Sequence, residues 1–315
     1  MIAALLDPLS YEFFVRALVA AVIVGTVCAV VGTFVVLRGI AFIGDAVAHA
    51  SFPGVVAAFL LSIPFYVGAA VAAVATALAI GYVTRRARIR ADTAIGVLFA
   101  GTFALGVFLY STIEGYVADL FSFLFGYLLS IDLNDLIALA LLGGLVLLIV
   151  GVFWKELLYA TFDPLGAAAS GLRVDGLEYL FLALVALTIV ISLQAVGIIL
   201  VVAMLVTPAA TAQLLTVRFG SLMGLAIVVG VLSSVAGLYL SFWLDVASGA
   251  TIVLVQTAIF LVVLALSPRT GLLGRRSRAT EPVPVSSGVR PEDGRPVEPI
   301  GDRPQPSGHE LRDRS

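Results

Sequence analysis

The sequence predicts an all-α, polytopic transmembrane helical bundle of eight to nine spans, and three observations support it. Of 315 residues, 61% are hydrophobic and only 12% charged, with a mean hydropathy of +1.13. A soluble domain carries about twice that charge, so lipid is the solvent for most of the chain. Apolar runs of about 20 residues, enough to span a bilayer as helix, recur along the sequence. Charge is also segregated: nine of the eighteen basic and seven of the twenty acidic residues follow Pro268.

Taken in order, the apolar runs place helices over residues 11 to 37, 40 to 62, 65 to 84, 93 to 112 and 136 to 154. The run from Leu177 to Leu215 is too long for one crossing, and Gln194 with Gly197 marks a turn that divides it into 177 to 193 and 196 to 215. Helices over 220 to 243 and 250 to 267 complete the set, the outer turn between them (LDVASGATIV) reversing at Gly249. Residues 115 to 130 are short for a span and enter through Glu114 and Asp119, which suits a re-entrant or tilted piece lining a cavity. The amino terminus, MIAALLDPLSYEFF, has Asp7 and Glu12 where a secretory signal would be basic, so no cleaved signal is expected. Two units result: a membrane domain over 1–268 and a Pro-, Ser- and Gly-rich tail over 269–315. The tail is too poor in apolar residues to offset its ordering entropy and is expected to be disordered and cytoplasmic.

Lysine and arginine are retained on the cytoplasmic side of short loops. Arg85, Arg86, Arg88 and Arg90 form the densest such cluster. With that loop inside and 115 to 130 not crossing, Arg38, Lys155, Arg173, Arg218 and the tail also fall inside, while Glu114, Asp119, Asp245 and the amino terminus fall outside. The loop from Ala160 to Tyr179, ATFDPLGAAASGLRVDGLEY, is then cytoplasmic and reads as a short helix, started by Asp163 with Pro164 and stopped at Gly171.

One stretch carries chemistry. In GDAVAHASFPG, residues 44 to 54, Asp45 and His49 stand four apart on one helical face, in a run that should tolerate neither. Counted from Arg38 they lie about one to two and a half turns into the bilayer, where a carboxylate costs about 2.5 to 3.5 kcal/mol at the centre of a span. The pair must face protein, water or an ion. A mutual hydrogen bond that supports helix packing is one reading. Cation coordination is the other: imidazole nitrogen with carboxylate oxygen suits zinc, manganese or iron(II), whereas calcium or magnesium would want oxygen alone. The only other histidine, His309, is in the tail. Two ligands are too few for a held metal, but a second copy across a two-fold axis would supply two more, and a site shared by a moving interface can be made and broken. Pro53 and Gly54 follow one turn on, where a missing backbone hydrogen bond lets the helix bend or open a carbonyl.

Absences narrow the field. There is no phosphate-binding GxxxxGK[ST] loop and no HExxH pair, and no basic stripe with interleaved aromatics, so neither a self-contained ATPase, a zinc protease nor a nucleic-acid partner is expected. The single cysteine, Cys28, reads as small packing material. Thr207 with Pro208, and Gln256, read as local polar satisfaction within the bundle.

Residues 37 to 54, LRGIAFIGDAVAHASFPG, resemble the second-helix signature of the integral membrane subunits of metal ion ABC transporters, the zinc, manganese and iron uptake permeases. The resemblance continues through FDPLGAAASGL (Phe162 to Leu172), VGIILVVAMLVTPAATAQLL (Val196 to Leu215) and SGATIVLV (Ser248 to Val255). It implies a vitamin B12-importer-like type II ABC permease fold in the cytoplasmic membrane, a homodimer flanked by cytoplasmic ABC ATPase subunits and fed by an extracytoplasmic metal-binding protein. It also implies that Asp45 and His49 are metal-pathway ligands, and that the segment holding Phe162, Asp163, Pro164, Leu165, Ala167, Ala168 and Gly171 docks on the ATPase. The divalent metal, zinc, manganese or iron, is cargo; no permanent cofactor and no catalysis by this chain are expected. Charged residues common after FDP in that family are replaced here by Leu165, Gly166, Ala167 and Ala168, which favours docking by shape. A serine common before the histidine is replaced by Ala48, which removes a hydroxyl from beside the ligands. The rival readings are a permease for a metal chelate such as a siderophore or cobalamin, and a membrane-embedded metalloenzyme.

Overall fold

A computed structural model describes residues 7–113 and 128–267, so the expectations for 114 to 127 and for the tail lie outside the described residues. The described chain is helical with no strand. Its helices are α1 (Glu12–Leu37), α2 (Ile43–Leu61), α3 (Phe65–Ala87), α4 (Ala91–Tyr110), α5 (Leu133–Val152), α6 (Trp154–Phe162), α7 (Pro164–Ala169), α8 (Val174–Leu215), α9 (Phe219–Leu244) and α10 (Ser248–Leu266). Short 3-10 turns over Asp7–Ser10 and Leu128–Ser130 precede α1 and α5.

Among the described residues nine segments are long and apolar enough to cross a membrane, α8 contributing two, Val174–Leu193 and Val196–Leu215. Hydrogen bonding runs through both halves of α8, but Gly197 interrupts the helical backbone with φ 77° and ψ 169°. A side chain rarely tolerates that conformation, so glycine places the break where the sequence required a reversal. All nine expected spans match the observed boundaries to within three residues. Two details go beyond the expectation: α3 continues through Arg85 and Arg86, and the chain after α5 breaks at Phe153 and restarts at once as α6.

The core is built on α1, α2 and α8, the most deeply buried helices, of which α8 packs on most of the others, while α4, α5 and α10 keep wide apolar faces outward for lipid or partner chains. Small residues bring backbones into direct contact, as lipid-embedded helices require in the absence of a hydrophobic drive between them. Gly54 of α2 and Gly68 of α3 face each other so closely that an added Cβ on either would stand 2.1 or 2.2 Å from the other's carbonyl oxygen.

Contacts at the two ends support the topology. At the end assigned outside, Tyr11 meets Phe242 with ring centroids 5.9 Å apart, and Arg16 reaches Asp132 at 3.8 Å. At the opposite end, Arg38 Nε donates to Thr161 Oγ1 at 3.0 Å, Arg85 Nε donates to Glu178 Oε2 at 2.8 Å, and Ser267 donates to the Leu214 carbonyl at 3.0 Å. Every one of these contacts joins segments that the basic-residue count put on the same side. Phe34, Trp154, Phe181 and Phe219 form an aromatic knot at this second end, pinning α6 against α1, α8 and α9.

Candidate metal site

The turn from α1 into α2 passes through Gly39, whose φ of +69° lies in the left-handed region glycine favours. Helix α2 then starts at Ile43, so Asp45 and His49 occupy its first and second turns. That is nearer the helix end than a count from Arg38 suggested, because residues 38 to 42 form a turn and not a helical extension. From Ile43 to Ala58 every residue of α2 is buried except Asp45, His49 and Ala57. Up to Ala58 the open positions of α2 therefore carry both ionisable side chains, with side-chain exposures of 47% for Asp45 and 30% for His49; the helix opens again only in its last turn, Phe59 to Leu61.

His49 Nε2 and Asp45 Oδ1 are 3.5 Å apart. This exceeds the usual range for a nitrogen–oxygen hydrogen bond. The separation does suit two ligands of one ion: with metal–ligand bonds of about 2.1–2.2 Å, it subtends about 105–113° at the metal, close to tetrahedral. Octahedral ligation at 90° would need the atoms to close by only about 0.4 Å. Pro53 has no N–H to give the His49 carbonyl four residues back, so helix geometry leaves that oxygen without its normal partner from the chain. No cluster of three or more His, Cys, Asp and Glu exists among the described residues. The described residues of one chain bring two side-chain ligands together.

Residues the sequence did not single out surround the imidazole. Phe99 and Phe103 of α4 meet the His49 ring edge-on, with centroids at 5.3 and 5.6 Å and interplanar angles of 71° and 88°. Their i, i+4 spacing was visible in LFAGTF, but only the packing of α4 on α2 shows what it faces.

The second set of expected site residues forms its own local unit. Asp163 Oδ1 accepts from the Gly166 N–H at 2.8 Å and caps α7, Pro164 occupies its first turn, and Gly171 closes it with φ +88°. Ala167 is buried; on the open side Leu165 is 83% exposed and Phe162 61%, with Ala168 beside Leu165 one turn on. The segment thus presents an apolar surface with no charged side chain between Pro164 and Ser170. The two site regions are joined by Arg38, in the turn ahead of α2: its guanidinium bonds Thr161 at the end of α6 and lies 4.1 Å from the Phe181 ring. Burial pushes the Arg38 pKa down to about 10, with nearby Glu178 acting in the opposite direction, so it stays cationic at neutral pH.

A helical bundle with nine membrane-capable segments among the described residues, and with an ionisable pair on an open stripe of α2, defines a multi-pass membrane protein. Residues 10–267 match the ABC 3 transport family, and the chain belongs to that family. It is 47% identical over 267 residues to the manganese transport system membrane protein MntC of Halalkalibacterium halodurans, covering 85% of this chain and 91% of the relative. It is 39% identical over 290 residues to the chelated iron transport system membrane protein YfeD of Yersinia pestis, covering 92% and 96%. Among solved structures, PsaBC from Streptococcus pneumoniae in complex with Fab aligns with a TM-score of 0.77 at 38% identity, over 88% of this chain and all of that one. The fold is the type II ABC permease fold that the sequence motifs implied.

Proposed function

We propose that this chain is the permease subunit of an ABC importer that carries a divalent transition metal across the cytoplasmic membrane into the cell. The observation that carries this reading is the pairing of Asp45 Oδ1 and His49 Nε2 at 3.5 Å on an open stripe at the start of the otherwise buried run Ile43 to Ala58 of α2. Nitrogen with oxygen is a donor set for manganese, iron(II) or zinc; the names of relatives favour manganese or iron over zinc. Two ligands per chain become four if a second copy faces the first across the pathway. Cargo then binds between subunits and is released when they move apart. The metal arrives from an extracytoplasmic metal-binding protein. The exposed surface of Phe162, Leu165 and Ala168 docks on a cytoplasmic ABC ATPase, which hydrolyses the ATP.

A bulky chelate would need a wider, ligand-poor channel, so two small side chains converging on one point favour a bare ion over the siderophore or cobalamin alternative. The test is uptake of radiolabelled manganese and iron by cells carrying Asp45→Ala or His49→Ala. Each substitution should abolish uptake while leaving the amount of protein in the membrane unchanged. Normal uptake of manganese, iron and zinc by both variants would reject the role of the pair.

A further inference from the structure

A metal-binding histidine is normally held by its second ring nitrogen, through a hydrogen bond to a carboxylate, a carbonyl or water. Among the described residues His49 has no hydrogen-bonded carboxylate or carbonyl on that nitrogen: its polar contact is Asp45 on its own helix and its ring contacts are the two phenyl rings of α4. Those rings pack on each other and on α2. Phe99 and Phe103 stack on each other at 6.1 Å with an interplanar angle of 17°, and Phe103 also meets Phe52 of α2 at 6.2 Å. One turn further along α4, Gly106 lies so close to α2 that an added Cβ would sit 2.6 Å from the Phe52 ring and 3.0 Å from Pro53 Cδ. That close approach sets the register of α4 on α2, and the register sets the two rings against the imidazole.

We infer that Phe99 and Phe103 are positioning residues for the metal site: in place of a hydrogen bond, their ring pair holds the His49 imidazole with Nε2 turned toward Asp45. Two torsions govern an imidazole, and a site must hold its ligands to within about 0.5 Å and 10–20° of the productive geometry to bind well. Among the described residues no hydrogen bond from a second residue restrains them, and the two rings pack directly on the imidazole. Hydrocarbon rings suit this task because they pack the imidazole without competing with the ion for a ring nitrogen. A consequence is that sliding α4 along α2 would release the ring, so the affinity of the site depends on the α2–α4 register.

The inference rests on the proposed metal role of His49, and one experiment separates the two. Because the sequence has only two histidines, imidazole labelling of a full-length His309→Ala chain in lipid nanodiscs gives a single set of His49 NMR signals. Manganese(II) is then titrated, and paramagnetic broadening of those signals reads occupancy. Phe99→Leu, Phe103→Leu and the double variant should raise the half-broadening concentration, the double variant by about 10–100-fold, the range typical for removing groups that orient a metal ligand. Phe103→Tyr, which keeps the ring, should stay close to the unmodified protein. Should the double variant fail to fold, the single substitutions still decide. Broadening at unchanged manganese in all leucine variants would overturn the positioning role while leaving the metal site standing. No saturable broadening in the unmodified chain, or broadening that Asp45→Ala does not alter, would instead remove the metal site beneath it.

Discussion

Substituting Gly54 by alanine tests the packing that frames the site. A Cβ there would lie 2.1 Å from the Gly68 carbonyl oxygen and 2.6 Å from the Ala72 Cβ. The obstruction is backbone, so no rotamer change relieves it; α2 and α3 must part by at least about 0.9 Å to reach even a 3.0 Å contact. Over-packing of this kind costs about 1–3 kcal/mol. A gap of 0.5–1 Å opened elsewhere along the crossing forfeits about a quarter to a half of each dispersion contact there, which places the expected loss in the upper half of that range. Gly144→Ala is the matched control, because nothing lies within 4 Å of its Cβ; better helix propensity there is worth at most about 1 kcal/mol. The two tryptophans, Trp154 and Trp243, allow unfolding to be followed by intrinsic fluorescence, Trp154 reporting from the aromatic knot. Gly54→Ala should unfold well before the unmodified chain and Gly144→Ala alongside it or later. Adding Gly68→Ala to Gly54→Ala should cost less than the sum, since the first separation already makes room. Coincident unfolding of Gly54→Ala and Gly144→Ala would show that the helices do not cross as described.

Two other expectations concern the end of the bundle assigned to the cytoplasm. Leu165→Asp places a charge on a side chain that is 83% exposed, so the fold should survive while co-purification of an ATPase and metal uptake both fall more than about tenfold, as loss of an interface anchor predicts; full uptake would exclude α7 from docking. Arg85→Ala removes ion pairs with Asp175 and Glu178, but Arg85 and Glu178 are each 31% exposed and Asp175 more so. The loss should therefore stay below about 1 kcal/mol and shrink with added salt, and a larger, salt-independent destabilisation would show that the guanidinium matters by packing.

What the sequence makes legible divides along physical lines. Helix positions were legible because lipid demands long apolar runs, and the grouping of loops at two ends of the bundle because basic residues gather at one of them; Arg85 and Glu178 meet at one end, as that count required. The short α7 was legible because Asp163, Pro164 and Gly171 are local signals that need no tertiary context. The break at Phe153 was hidden inside continuous hydrophobicity, and α6 is held by Phe34 and Phe219, far away in sequence. Asp45 and His49 announced themselves by being costly in lipid, whereas Phe99 and Phe103 are ordinary there and gain meaning only from the neighbour they touch.

The structure also shifts the grounds on which the metal reading stands. The full insertion cost of a carboxylate applies at the middle of a span, but Asp45 is the third residue of α2 and half open, so burial alone does not demand a compensating ion. Geometry has to carry that weight, and it does so through two donor atoms too far apart for a good hydrogen bond and well spaced for a shared cation. The helix end adds a further term. Backbone N–H groups at the start of α2 bring partial positive charge, which favours the Asp45 carboxylate and opposes a cation beside it by about 0.3–1 kcal/mol. Under the proposed reading, the chain offers an incomplete ligand set at a helix end that disfavours prolonged residence. Tight binding would then exist only while two copies face each other, which is the behaviour of a site that passes metal along and not of one that stores it.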